Sequence, residues 1–407
     1  MKGVSRLQWH GDATLLLDAG LVKVSGLGMK RQLVFGWLWF AAVSVQACTI
    51  FVLTDTNRVL FCNNEDALNP MTRIWFVPAS EGRYGCAYVG FDNSWGQGGL
   101  NTEGLAYDWV AGWNEKWEPG AGQERIEGNP AERMLATCAT LDEAVAFFRK
   151  HYEPGFGYAR ILVADKTGAS AMIRAKDGKL FVDPANQCRG FGYGERTLDQ
   201  MLATSPEATV ANGMKILRAC VQPLGTRYSN VYDLKSGDIL VFRPSEVEMK
   251  LNLAVELKKG AHYYDIPQIR EQLKQALRPI AGMKRFVTEA FQAGPDPEPK
   301  VTAQFRKMLG EAIRGEMLAS DYAPEFWKRI SGKQKETRAD LNALGDLISI
   351  KPVERSTEAK ERCYWYRVEF TKGTVFQIVM LDADNRVKFS DSVDTHHKTQ
   401  TAANSSN

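Results

Sequence analysis

Short alternating runs of apolar and polar residues dominate this chain, interrupted by stretches of helical period. Ile50-Phe51-Val52-Leu53 and Val59-Leu60-Phe61 read as strands, and Thr54-Asp55-Thr56-Asn57 between them has turn chemistry. Residues 48–66 are therefore expected to form a hairpin. With its turn centred near Thr56, opposed positions sum to about 112. That places Cys48 across from residue 64, within a residue, and folds Asn63-Asn64-Glu65-Asp66 back beside it.

More strands are expected at Trp75-Phe76-Val77, from Gly85 to Val89 and from Gly104 to Asp108, with Gly96-Gln97-Gly98-Gly99 as a turn. Residues 130–150 alternate in helical period. Arg160 to Ala164 and Ser170 to Ala175 form a strand pair around Lys166-Thr167-Gly168. Residues 205–220 read as helix, and Tyr228 to Leu234 with Asp238 to Phe242 form a hairpin over Lys235-Ser236-Gly237. Strands, then helices, then strands again indicate an α+β layered domain rather than a parallel βαβ sheet.

From about residue 264 the pattern becomes that of an amphipathic helix, Ile266 to Phe291, followed by the stiff run Gly294-Pro295-Asp296-Pro297-Glu298-Pro299. A helix from Thr302 to Leu318 and strands from Tyr364 to Phe370 and Thr374 to Leu381 suggest a smaller α+β domain. The expected division is an export signal in 1–47, a main domain in 48–255, a helical connector and Pro-rich linker in 256–300, a small domain in 301–394 and a disordered tail in 395–407.

The export signal rests on the basic start Met29-Lys30-Arg31, the apolar run Leu33 to Val45, and Val45-Gln46-Ala47 before Cys48. The run is too short for a stable membrane span. Met29 is the expected true start, and the mature protein is expected to be periplasmic or secreted. A second reading makes Cys48 the lipidated anchor of a cell-envelope binding module.

A net charge of +3, with no basic run or interleaved aromatic pattern, argues against a nucleic-acid partner. All seven cysteines follow the expected cleavage point, and none has CxxC spacing, so no zinc site is indicated. An odd count leaves one thiol over, and Cys48 is the natural one. Of the histidines in the expected mature chain (His151, His262, His396 and His397), none is placed by the sequence to serve as a base. A first-residue cysteine brings its own: an α-amine titrates near pH ~8, close to a thiol at ~8.5. The pattern points to an N-terminal nucleophile.

Four segments carry a family likeness: Cys48-Thr49, Phe61-Cys62-Asn63-Asn64-Glu65-Asp66, Gly99-Leu100-Asn101-Thr102-Glu103-Gly104-Leu105-Ala106, and Thr226 through Leu234. Together they resemble the choloylglycine hydrolase family, which includes penicillin V acylases, bile salt hydrolases and acid-ceramidase-like amidases. The resemblance covers roughly residues 48–245 and implies a four-layer αββα sandwich that hydrolyses linear amide C–N bonds. It implies no metal or organic cofactor. Cys48 would be nucleophile and, through its amine, base, with Asp66 holding its geometry. Asn186 would help form the oxyanion hole, and Arg196 would support the polar network. Asn63 stands where the family usually has an arginine, at a substrate-facing position that here carries no charge. Among the aromatic residues clustered between Trp75 and Trp117, Trp109 and Trp113 are the expected walls of an acyl pocket. The expected partner is a small-molecule N-acyl amide; a homo-oligomer is left open.

Overall fold

The computed structural model describes residues 48–394 apart from 68, 92–93, 121, 205, 223–224, 245, 284–294 and 357–361. The expected export signal, the polar tail and the end of the helix expected from Ile266 lie outside the described residues. Six strands come first: β1 (Thr49–Thr54), β2 (Val59–Asp66), β3 (Thr72–Val77), β4 (Cys86–Phe91), β5 (Gly96–Asn101) and β6 (Ala106–Ala111). Helices α1 (Pro130–Thr137) and α2 (Leu141–Lys150) lead into β7 (Ala159–Ala164), β8 (Ser170–Lys176), β9 (Lys179–Ala185) and β10 (Arg189–Gly192). Then come α3 (Glu195–Leu202), α4 (Val210–Ala219), β11 (Thr226–Asp233), β12 (Asp238–Phe242) and β13 (Met249–Asn252). Short elements close this region: α5 (Leu253–Leu257), β14 (His262–Asp265), α6 (Ile269–Gln272) and β15 (Arg278–Pro279).

The strands make two sheets, one ordered β10-β1-β2-β11-β12-β13 and the other β15-β14-β3-β4-β5-β6-β7-β8-β9. Side-chain parity fixes the layering. Ile50, Val52, Val59 and Phe61 meet Ile74, Val89, Ala106 and Leu162 in a core between the sheets. Phe51, Leu53, Leu60 and Cys62 point the other way, onto α3 and α4. Tyr107, Ile161 and Val163 pack on α1 and α2. The result is helix, sheet, sheet, helix, in the αββα order expected.

The helices start where local chemistry permits. Asn129 caps α1 by accepting from the Ala131 and Glu132 amides with Pro130 at the first turn, and Thr140 caps α2. The helical period of 130–150 is thus two helices, broken at Cys138, Ala139 and Thr140.

Three expectations fail here for physical reasons. Gly96 to Gly99 is no turn but most of β5: a Cβ at Gly98 would fall 2.1 Å from Asp108 Oδ2, and one at Gly99 2.6 Å from the Ala87 carbonyl. Glycine is used there for close approach. The helix expected from Ile266 reduces to a 3-10 turn and α6, and by Pro279 the chain is strand β15, where a proline, lacking the N–H a helix needs, is tolerated. Finally, the stretch after residue 255 is more than a connector, since β14 joins the large sheet beside β3 through His262↔Phe76.

Helices α7 (Pro299–Arg314), α8 (Pro324–Ile330) and α9 (Gln334–Ala343) pack on a four-stranded antiparallel sheet. Its strands are β16 (Leu347–Ser356), β17 (Arg362–Phe370), β18 (Gly373–Leu381) and β19 (Val387–Asp394). Gly315, at φ 76°, ends α7 in the left-handed conformation that favours glycine. Glu354 of this sheet reaches the sandwich, accepting from Arg227 at 2.9 Å and Arg243 at 2.6 Å, and Arg227 also stacks over Trp365. No described helix is long and apolar enough to cross a membrane.

Candidate active site

Cys48 immediately precedes β1, and alternation turns its side chain toward the other sheet, where it is 6% exposed. The hairpin register pairs Thr49 with Asn64, one residue from the expected value. Asp66 closes on the sulfur through its main chain: its N–H donates to Cys48 Sγ at 3.4 Å, and its carbonyl lies 3.9 Å away. On the opposite side β10 runs against β1. The Tyr193 N–H donates to the Cys48 carbonyl at 3.0 Å, and Thr49 Oγ1 donates to the Tyr193 carbonyl at 2.9 Å. Gly192 makes this possible. It has φ 127°, and any Cβ there would stand 1.9 Å from the Cys48 oxygen.

The register also says which residues share the thiol's face. Beside Cys48 come Glu65 and then Tyr228, and one row further lie Asn63 and Asn230. Tyr232 follows, stacked on Phe61 at 6.4 Å. Asp108 reaches the same layer from β6 of the facing sheet, its Oδ1 accepting the Trp109 N–H at 2.7 Å. Asn63 Nδ2 donates to Glu65 Oε2 at 3.5 Å, and Thr226 Oγ1 donates to Asp66 Oδ1 at 2.5 Å.

What remains unmade is the informative part. Asn63 Oδ1, Asp66 Oδ2, Asp108 Oδ2, the Tyr228 and Tyr232 hydroxyls and both polar atoms of the Asn230 side chain are buried with no hydrogen-bond partner among the described residues. Buried polar atoms are normally paired, because each orphan costs about 1–3 kcal/mol. Asp66 aside, whose side chain alternation turns to the other face of β2, these orphans share the layer of the thiol and mark a site built to meet something polar.

The field at the sulfur is acidic. Burial pushes the Cys48 thiol well above its usual range, Glu65 and Asp66 add to this, the Asp66 amide pulls back, and Asp108 raises it further. Burial likewise lifts Asp66 to about 8, with the Thr226 hydroxyl opposing and Glu65 reinforcing. Asp108 is also raised, chiefly by burial. With a peptide bond still joining Cys48 to residue 47, the thiol keeps its proton.

Of the residues expected from sequence, Cys48, Asp66 and Asn63 come together. Trp113 packs against the inter-sheet core, on the same side as Cys48. Trp109 does not: neighbouring strand residues face opposite ways, so with Asp108 inward it packs on Phe156 at 5.4 Å in the helix-side core. Asn186 does not reach Cys48 either. It lies in an exposed bend between β9 and β10, and extending the Val52↔Arg189 register sets it level with Asp55, the far end of β1. Arg196, at the start of α3, follows closely on Tyr193 at the Cys48 end of β1 but is exposed, with no side-chain partner among the described residues. All seven cysteines are free thiols. Among the described residues no group of three or more His, Cys, Asp or Glu side chains is placed to hold a metal.

Asp108, Tyr228, Asn230 and Tyr232 were not singled out from sequence. The signal was present in Tyr228-x-Asn230-x-Tyr232, a period-two run of polar-tipped side chains on one face of a fully buried strand.

No protein-family model and no curated protein matches the chain. Among solved structures it is similar to a penicillin V acylase from Agrobacterium tumefaciens, at 15% identity and TM-score 0.44, over 54% of this chain and 91% of that one. It is also similar to a mutant of a conjugated bile acid hydrolase from Clostridium perfringens, at 14% identity and TM-score 0.39, over 54% and 96%.

Proposed function

We propose that the protein is an exported cysteine amidohydrolase, activated when the chain is cut before Cys48, that cleaves linear amide bonds of small N-acyl compounds. The observation that carries this is a thiol held by the Asp66 main chain inside a layer of orphaned polar groups. Its burial favours a nucleophile over a lipid anchor, since a thioether-linked lipid would have to leave that interior.

Cleavage would place an α-amine on the residue that bears the thiol, amid Glu65, Asp66 and Asp108. Those carboxylates oppose a lone thiolate but favour the ammonium that forms when the amine takes the thiol proton. The thiolate adds to the amide carbonyl carbon, and the ammonium returns a proton to the departing nitrogen as the C–N bond breaks. A thioester remains. Water, losing a proton to the amine, then adds to the thioester carbon; the acid leaves and the thiol is regenerated. Asn230 Nδ2 and the Tyr228 hydroxyl are donors on the same face for the oxyanion, a role Asn186 is not placed to fill.

The test compares three forms: the chain beginning at Cys48, the same chain with one extra residue before it, and Cys48→Ala. Mass spectrometry of the exported protein is expected to show an unmodified N-terminal Cys48. Only that form turns over N-acyl amides, and Cys48→Ala loses on the order of 10⁴-fold or more with its circular dichroism intact. Turnover by a chain still extended before Cys48 would overturn the mechanism.

A further inference from the structure

The inner face of the nine-stranded sheet carries two arginines that this chemistry does not use. In β7, Ile161 and Val163 pack toward the helices while Leu162 and Ala164 face the six-stranded sheet, so Arg160 also faces inward. In β8, Ala171, Ile173 and Ala175 pack outward and Met172 inward, which turns Arg174 the same way. Continuing the Ile161↔Ile173 register by one residue sets Arg160 directly opposite Arg174. Like charges so opposed are destabilising.

Neither arginine relieves this internally. Among the described residues neither side chain makes a hydrogen bond or ion pair, and the Nε of each is buried without a partner. Both residues are half-exposed. The Arg160 guanidinium lies 3.7 Å above the Trp113 ring, and that of Arg174 lies 5.0 Å from the Phe181 ring. Burial and the Arg174 charge both weaken protonation of Arg160, while Glu115 and Glu195 favour it without making an ion pair.

The pair stands at the nucleophile's end of the sandwich. At the other end of β1, Thr54 lies over the β7–β8 turn, where a Cβ on Gly168 would fall 2.4 Å from Thr54 Oγ1. At the Cys48 end, Glu195 follows closely on Tyr193, whose amide donates to the Cys48 carbonyl, and Glu195 is in the field of Arg160. The Thr54 end of β1 therefore lies over the turn, and its Cys48 end lies toward the start of β7, where Arg160 stands.

We propose that Arg160, Arg174 and Trp113 form a carboxylate-binding subsite beside the nucleophile, so that the amide substrate carries an anionic group. This deepens the amidohydrolase reading and rests on it. A carboxylate between two guanidinium forks relieves their repulsion and fills their donors, and Trp113 fixes the plane of one fork. The positive charge that Asn63 lacks on one sheet is thus supplied from the other.

The test uses the chain that begins at residue 48 and carries Cys48→Ala, titrated calorimetrically with matched pairs. N-acetyl-, N-phenylacetyl- and N-octanoylglycine are compared with their glycinamides, and glutaryl anilide with its terminal amide. The acid of at least one pair is expected to bind about tenfold or more tighter than its neutral partner. Arg160→Gln or Arg174→Gln brings that ratio to within about twofold, and Arg160→Lys retains part of it because charge survives without the fork. Equal binding within every pair, no binding at all, or a preference that survives both Gln variants in normally folded protein overturns the subsite. The wild-type enzyme separates the two readings. Turnover of acids and amides alike removes the subsite and keeps the amidase; preferential binding of acids without turnover keeps the subsite and removes the amidase.

Discussion

Two groups of buried carboxylates lie in the same sandwich and have been treated in opposite ways. Glu256, 3% exposed, accepts from Lys259 Nζ at 2.8 Å, His262 Nε2 at 3.0 Å and the Tyr264 hydroxyl at 3.1 Å. Burial raises its carboxyl, but His262, Lys259 and Tyr264 outweigh burial and hold it below the usual range. Asp66 and Asp108 are equally buried, keep one oxygen each without a partner, and are pushed upward. The difference teaches where this fold tolerates cost. Glu256 is mated on every side, whereas Asp66 and Asp108 beside Cys48 each keep an open oxygen that a polar ligand would complete.

The largest effect expected from this contrast is on the mated side. Glu256→Gln removes the charge from a buried cluster and leaves Lys259 and His262 facing a neutral amide, a change worth about 3 kcal/mol or more. Chemical denaturation should show that loss, with kcat/KM per folded molecule within about twofold of wild type, because Glu256 lies outside the thiol's layer. A collapse of kcat/KM with stability preserved would mean the two carboxylate groups had been assigned the wrong way round.

Which side a residue belongs to was only partly legible in the sequence. The hairpin was: turn chemistry at Thr54 to Asn57 and alternation in both strands gave the register to one residue, and hence Asp66 beside Cys48. The strand-rich layered order followed from the same periodicity. Position along a strand was harder. Asn186 matched a motif, but whether a residue lies level with Cys48 or with Asp55 depends on how β10 pairs along β1, a contact between segments far apart in sequence that no local pattern encodes. Glycine misled where it serves close packing, since Gly98 yields space to the Asp108 carboxylate rather than turning the chain. Trp109 was misassigned for want of parity: with Asp108 facing the thiol, its neighbour had to face away.

The unfinished carboxylates should also show themselves in the pH dependence of stability. Asp66 in the folded chain holds its proton up to about pH 8, whereas its ordinary value is 3.8. Between those values the folded state binds more protons than the unfolded state, so stability is greatest on the acid side and falls as pH rises through the window. Glu153, lifted by burial to about 7, and Asp108 act in the same sense. Thermal melts of the uncleaved chain should therefore give a lower Tm at pH 8 than at pH 5. Asp66→Asn, which cannot titrate, removes part of that slope and leaves the share of Asp108 and Glu153. An unchanged slope in Asp66→Asn would show that Asp66 ionises normally.

The smallest and most discriminating effect concerns Asn230. It is fully buried on β11 between Asn63 and Val241, and neither its Oδ1 nor its Nδ2 has a partner among the described residues. If those atoms exist for a ligand, they weaken the empty protein. Asn230→Val keeps the volume roughly, suits a strand and removes both orphans, so stability should rise by about 1 kcal/mol. Activity should move oppositely, with kcat falling on the order of 10²-fold if the amide is an oxyanion donor. Gain in one and loss in the other is the signature of a group retained for function. The same substitution at a mated position would destabilise instead. If Asn230→Val lowers stability by about 1 kcal/mol or more, Asn230 is structurally paired after all, and the contrast with Glu256 fails at its most specific point.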